Sequence, residues 1–146
     1  MISKTKFPDL TKTYPASPRE VVAGFVHLAR MRDKARAKAG GTLGEYHYPC
    51  PLDQSLLGFL GITPEAFEAS ARTMDNDELA SWVKQSALKK SAGEIENWNR
   101  LFLGKKPDSP EKLAYFNETR NKINPKRTDI ETWVDLLDLE EGRLGK

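Results

Sequence analysis

Ser17-Pro18-Arg19-Glu20, then Val21-Val22-Ala23-Gly24-Phe25-Val26-His27-Leu28-Ala29-Arg30-Met31-Arg32-Asp33-Lys34-Ala35-Arg36, closed by Gly40-Gly41, is the stretch on which the fold turns. A capping box with proline at the first helical position predicts a helix start. The glycine pair predicts a left-handed C-terminal cap. One long helix over 18–39 follows. At about 100° per residue, Val21, Val22, Phe25, Val26, Leu28 and Ala29 share one arc, the core face. That arc continues through Arg32 and Arg36, with Asp33 at its edge, so the apolar stripe turns ionic. His27, Arg30, Lys34 and Lys38 fall on the opposite side, toward solvent.

The same grammar repeats downstream. Ser91-Ala92-Gly93-Glu94 and Thr128-Asp129-Ile130-Glu131 are further capping boxes, Asp75 to Glu78 another start, and Thr63-Pro64 and Ser109-Pro110 two more. Gly61, Gly104 and Gly142 supply stops. Helices are predicted near 18–39, 52–60, 64–73, 76–88, 92–103, 110–123 and 129–141. Trp82, Trp98 and Trp133 each keep register with aliphatic neighbours, which makes them core anchors rather than an aromatic box. No alternating β-branched run competes, apart from one short extended piece near 43–48. The fold class is therefore all-α: a compact bundle of six to seven short helices with a polar loop after the first. Residues 1–16 read as an arm pinned by Phe7, Leu10 and Tyr14, and 17–146 as a single helical domain.

Composition sets the outer limits. Leu, Ile, Val and Phe make up 32 of 146 residues, and 23 basic side chains nearly cancel 21 acidic ones. That balance favours folding over disorder. The longest apolar stretch, Leu56 to Ile62, is far short of the roughly 20 residues of a membrane span. No apolar signal core follows Met1, and the single Cys50 suits a reducing cytoplasm. Charge is uneven: residues 1–38 hold nine bases and three acids, whereas 128–141 hold six acids and no base. Such polarity steers an anion to the N-terminal part, docks the last helix beside the first, or marks two solvated faces.

Chemistry concentrates around helix one and the loop Gly44-Glu45-Tyr46-His47-Tyr48-Pro49-Cys50-Pro51-Leu52-Asp53. A buried charge needs a partner or a ligand. Arg36 therefore either emerges to pair with an acid or lines a pocket, its planar fork binding a carboxylate or phosphate while Asp33 holds it. Alternation puts Glu45 and His47 on one side of the loop and Tyr46 and Tyr48 on the other. Glu45 beside His47 would orient a general base, and the tyrosine hydroxyls would meet a ligand or close over the core. Cys50, at the N-cap of helix two with Asp53 at its third position, is the candidate nucleophile; a sterically held structural cysteine is the alternative. No cofactor or metal site is expected, since nothing supplies a fourth ligand to His47, Cys50 and Glu45. Gly40-Gly41-Thr42-Leu43-Gly44 lacks the lysine of a phosphate loop. The helix–turn–helix outline at Leu56 to Phe67 carries Glu65 and Glu68 in its second helix, which argues against DNA.

Asp9-Leu10-Thr11-Lys12, Ser17-Pro18-Arg19, Arg30, Asp33-Lys34-Ala35-Arg36, Gly44-Glu45-Tyr46-His47-Tyr48 and Cys50-Pro51-Leu52-Asp53 together resemble a family of small bacterial proteins, the domain-of-unknown-function family 5069. The resemblance spans essentially the whole chain, most specifically its first 60 residues. It implies a bacterial, cytoplasmic setting and no activity. The expectation from the residues is a small anionic ligand held by Arg36 and Asp33 among Tyr46, Tyr48 and Asp53, with His47, Cys50 and Glu45 as the catalytic candidates. The alternative is an adaptor that docks RNA or a protein through the stripe Arg30, Lys34, Lys38 and the acidic last helix.

Overall fold

A computed structural model describes residues 7–145; the first six residues of the expected arm lie outside them. Helices run in the order α1 (Leu28–Gly40), α2 (Pro51–Leu60), α3 (Pro64–Thr73), α4 (Asn76–Ser86), α5 (Ala92–Leu103), α6 (Pro110–Ile123) and α7 (Trp133–Glu140). The chain is all-α, with an isolated bridge between Val22 and Phe25 and no strand among the described residues. The starts of α2 to α6 fall where the cap residues place them. Cys50, Thr63, Asp75, Ser91 and Ser109 are the N-caps, with Pro51, Pro64 and Pro110 in the first turn. Gly41 and Gly61 end α1 and α2 in the left-handed conformation, at φ 71° each.

Two predicted starts are displaced. Ser17 caps no helix: its hydroxyl donates to Asp138 of α7 at 2.9 Å, and Arg19 beside it pairs with Asp135 and Asp138. The chain then makes a two-residue turn at Ala23-Gly24, both at positive φ, with Val22 and Phe25 exchanging backbone bonds of 3.0 and 2.9 Å. Asn99 of α5 clamps that turn, accepting from Val26 N and donating to Gly24 O. Only at His27, φ 69°, does the chain enter α1. At the other end Thr132, not Thr128, caps α7, with Asp135 closing the box. Long-range pairing outweighs the local helix signal at Ser17, whereas Thr128 gives way to the local box of Thr132 and Asp135.

The main core gathers Phe25, Leu28, Met31 and Ala35 with Leu56, Leu57 and Leu60 of α2, Phe67 and Ala71 of α3, and Leu79 and Val83 of α4. Trp82 and Trp98 pack against it partly buried. Phe116, Ile130, Leu136 and Leu139 join α6 to α7, and Val26, Phe102 and Val134 bridge α5 to α7. Leu10 is buried and donates its N–H to Thr42 O at 2.9 Å, so the arm lies against the end of α1; Tyr14 stays exposed.

Arg36 lies within this frame and binds protein groups. Its Nε donates to Ala71 O at 2.9 Å, one terminal nitrogen to Asn76 Oδ1 at 2.7 Å, and the other to Met74 O at 3.1 Å. Ala71 O belongs to the last turn of α3, where carbonyls have no helical donor and a cation is favoured. The guanidinium therefore ties the end of α3 to the start of α4. Arg36→Met, which keeps the stem and removes the donors, is expected to cost at least about 1–3 kcal/mol in urea unfolding. An unchanged midpoint and slope would refute that role.

Candidate functional site

Polar side chains meet at two buried nodes below one open cleft. The first node is Asp53, which is fully buried at the third position of α2. Its Oδ2 accepts from Cys50 N at 2.9 Å and from Lys34 Nζ at 2.7 Å, and its Oδ1 accepts from His27 Nε2 at 2.7 Å. Lys34 Nζ also donates to Cys50 Sγ at 3.2 Å. Burial opposes ionisation of Asp53, but the His27 bond and the Lys34 charge outweigh it and hold the carboxyl at about 2. For His27, burial and the positive Lys34 and Arg30 win over Asp53, and its pKa is lowered. His27 is thus neutral, and because an ionised carboxylate only accepts, Nε2 carries its hydrogen. Its Nδ1, buried without a partner, is then a bare acceptor lone pair rather than a stranded N–H.

The second node is Glu141, just past α7. Arg30 grips it in a fork, with both bonds at 2.8 Å; Tyr46 Oη donates to it at 2.8 Å and Arg143 at 2.5 Å. Arg30 also lies over the Tyr46 ring, 5.5 Å from its centroid. Burial again opposes ionisation, and the Arg30 bonds pull the Glu141 carboxyl below its ordinary range. The predicted exposed stripe is corrected here. Arg30 and Lys34 are 2% and 3% exposed, and His27 is fully buried. The wheel gives their phase correctly, but α2, the 17–27 segment and α7 cover the side assigned to solvent. Lys38 alone stays half-open, paired with Glu68 at 3.2 Å.

Above the second node lies a cleft of about 730 Å³. Residues 10–14 of the arm form one wall, Gly44, Glu45 and Tyr46 another, and Tyr115 with Leu137, Glu140 and Glu141 the third. A second depression, about 450 Å³, is lined by Met74 and residues of α4. The model of a domain of unknown function, DUF5069, matches residues 12–143, which include both nodes and nearly all of the cleft. The chain belongs to the DUF5069 family. No curated protein matches it.

In this family member the predicted site residues separate. Tyr48 is buried in the main core and donates its hydroxyl to Pro64 O at 2.8 Å. Asp33 accepts from Ala16 N at 2.9 Å and lies 3.5 Å from Arg32, so it serves the arm rather than Arg36. Glu45 and His47 are exposed, Tyr46 is half-buried and Cys50 half-buried. No hydrogen bond joins Glu45, His47 and Cys50; the thiol faces Lys34 instead. Among the described residues no three acids, histidines or cysteines converge to hold a metal. Tyr14, Tyr115, Glu140 and Glu141 escaped sequence reasoning. The acid excess of 128–141 signals only Glu140 and Glu141, and it does not point to a loop far away in the chain.

Two acid limbs of stability are expected. Folded His27 resists protonation, so the unfolded chain takes up the extra proton and stability falls as pH drops through about 6.5. Asp53 contributes about 2 kcal/mol above its ordinary value of 3.8, lost as pH falls toward about 2. Urea unfolding from pH 7.5 to 3 should show both, and His27→Gln should remove the first and keep the second. A wild-type slope between pH 7.5 and 5 in His27→Gln would contradict the neutral, buried imidazole.

Proposed function

We propose that this protein is a ligand-binding helical module of the bacterial cytoplasm, with its site in the cleft between the arm, the Gly44–Tyr46 turn and the end of α7. One observation carries the reading: the larger cleft sets two carboxylates without partners among the described residues over a buried node whose own charges are matched. Around it, Arg30, Lys34, Arg36, Asp53 and Asp138 are all matched within the fold, whereas Glu45 and Glu140 face the cleft unmatched among the described residues. A volume of about 730 Å³ is in the range of small-molecule sites.

Binding is favoured over catalysis because no hydrogen bond joins the candidate nucleophile Cys50 to the candidate base His47, and the thiol accepts from Lys34 instead. An anion at Arg36 is disfavoured because three of its donors already meet Ala71, Met74 and Asn76. Docking of RNA or a partner through Arg30 and Lys34 is disfavoured by their burial.

The test is a thermal-shift screen of small amines, carboxylates, sugars and phosphates against the wild type and Thr13→Trp, which fills the cleft from its exposed rim. A true ligand at ten times its Kd adds about 1.4 kcal/mol, a shift of several degrees. That shift should vanish in Thr13→Trp. Hits that stabilise both proteins equally would place the site elsewhere and overturn the reading.

A further inference from the structure

Resting on the cleft as the ligand site, we infer that its ligand is a small organic cation, an amine or quaternary ammonium compound. The charges lining the cleft are Lys12, Glu45, Glu140 and Glu141. Two of these are answered from within the fold. Glu141 is saturated by Arg30, Arg143 and Tyr46, and Lys12 lies 3.9 Å from Asp9. What remains is two carboxylates, Glu45 and Glu140, with no partner among the described residues. Partial loss of water and the adjacent Glu141 charge push the Glu140 carboxyl above its ordinary range, and a bound cation would relieve both effects.

The aromatic lining points the same way. Tyr14 and Tyr115 line the cleft and are 56% and 61% exposed. Tyr46 is held as a fixed wall by its bond to Glu141 and by Arg30 over its ring. Ring faces carry negative potential and attract ammonium groups within about 6 Å of the centroid. Carboxylates and exposed tyrosines lining one cleft therefore form a surface suited to organic cations. A phosphate or carboxylate would meet two like charges, with only the rim Lys12, 3.9 Å from Asp9, to attract it. A metal ion would want several converging oxygens, and no three acids, histidines or cysteines among the described residues supply them.

The experiment is a titration of ¹⁵N-labelled full-length protein at constant ionic strength with choline, 1,4-diaminobutane, inorganic phosphate and calcium chloride, followed by NMR. Choline or the diamine is expected to shift the amides of Thr13, Tyr14, Glu45, Tyr115 and Glu140. Glu45→Gln/Glu140→Gln should weaken that binding roughly fivefold or more, and Tyr115→Ala about two- to fivefold. The two acids make no contacts that the fold uses, so an unchanged melting temperature in the double variant will confirm that it is folded. If phosphate moves these amides and the cations do not, the cleft remains a ligand site and the cation inference is overturned. Calcium alone acting there overturns it too. Cation binding that is indifferent to the double variant, or confined to other amides, also overturns it. If none of the four probes moves the cleft, the cation inference falls, and the screen with Thr13→Trp decides separately whether the cleft binds anything.

Discussion

A carboxylate with no access to water must be answered by charge and hydrogen bonds, and Asp53 is answered from three directions at once. Lys34 reaches it from the second turn of α1, His27 from the residue before α1, and Cys50 N from the cap of α2. Each bond fixes a backbone segment. The Lys34 and Cys50 bonds set how α1 and α2 lie together. The His27 bond, with the N–H of the same residue donating to Pro18 O at 2.8 Å, helps to hold that residue left-handed and so starts the helix at Leu28. His27 also rests on Phe102, 4.9 Å between ring centroids, which ties α5 to the same point.

Glu141 repeats the device on the neighbouring side of α1. Its fork with Arg30 seats the end of α7 against the first turn of α1, and Tyr46 brings the loop to the same carboxylate. The consequence reaches the surface. With Glu141 spent internally, the next acid, Glu140, is left on the rim of the cleft, opposite the arm that Leu10 and Thr42 hold in place. The ionic interior and the rim of the cleft are thus two sides of one arrangement, in which Arg30 answers Glu141 inside and Glu140 is left outside.

Most of this frame was legible in the sequence, because caps and stripes are local. Ser91, Ser109, Thr63, Asp75 and the Cys50-Pro51 pair announce helices that form as read. Loop alternation also survives: Glu45 and His47 point out while Tyr46 and Tyr48 turn inward. Two features were not legible. Ser17 has the chemistry of a cap, but its hydroxyl is taken by Asp138, 121 residues away, and no window of sequence contains that competitor. A helical wheel assigns Arg30 and Lys34 a side but cannot say whether that side is covered. Here it is: Asp53 of α2 covers Lys34, and Glu141, just past α7, covers Arg30. The cleft was hidden for the same reason, since its walls come from four separated stretches that meet only through these pairings.

Arg30 and Lys34 of α1 serve as internal partners of the buried acids Glu141 and Asp53. A double-mutant cycle on Lys34→Met and Asp53→Asn, read by urea unfolding at pH 7, tests it most directly. Each single change removes one side of a buried pair and should cost about 3–5 kcal/mol, while the double variant should cost clearly less than the sum. Single costs below about 1 kcal/mol that simply add would mean that Lys34 and Asp53 are not joined in the folded protein, and the account built on them would fail.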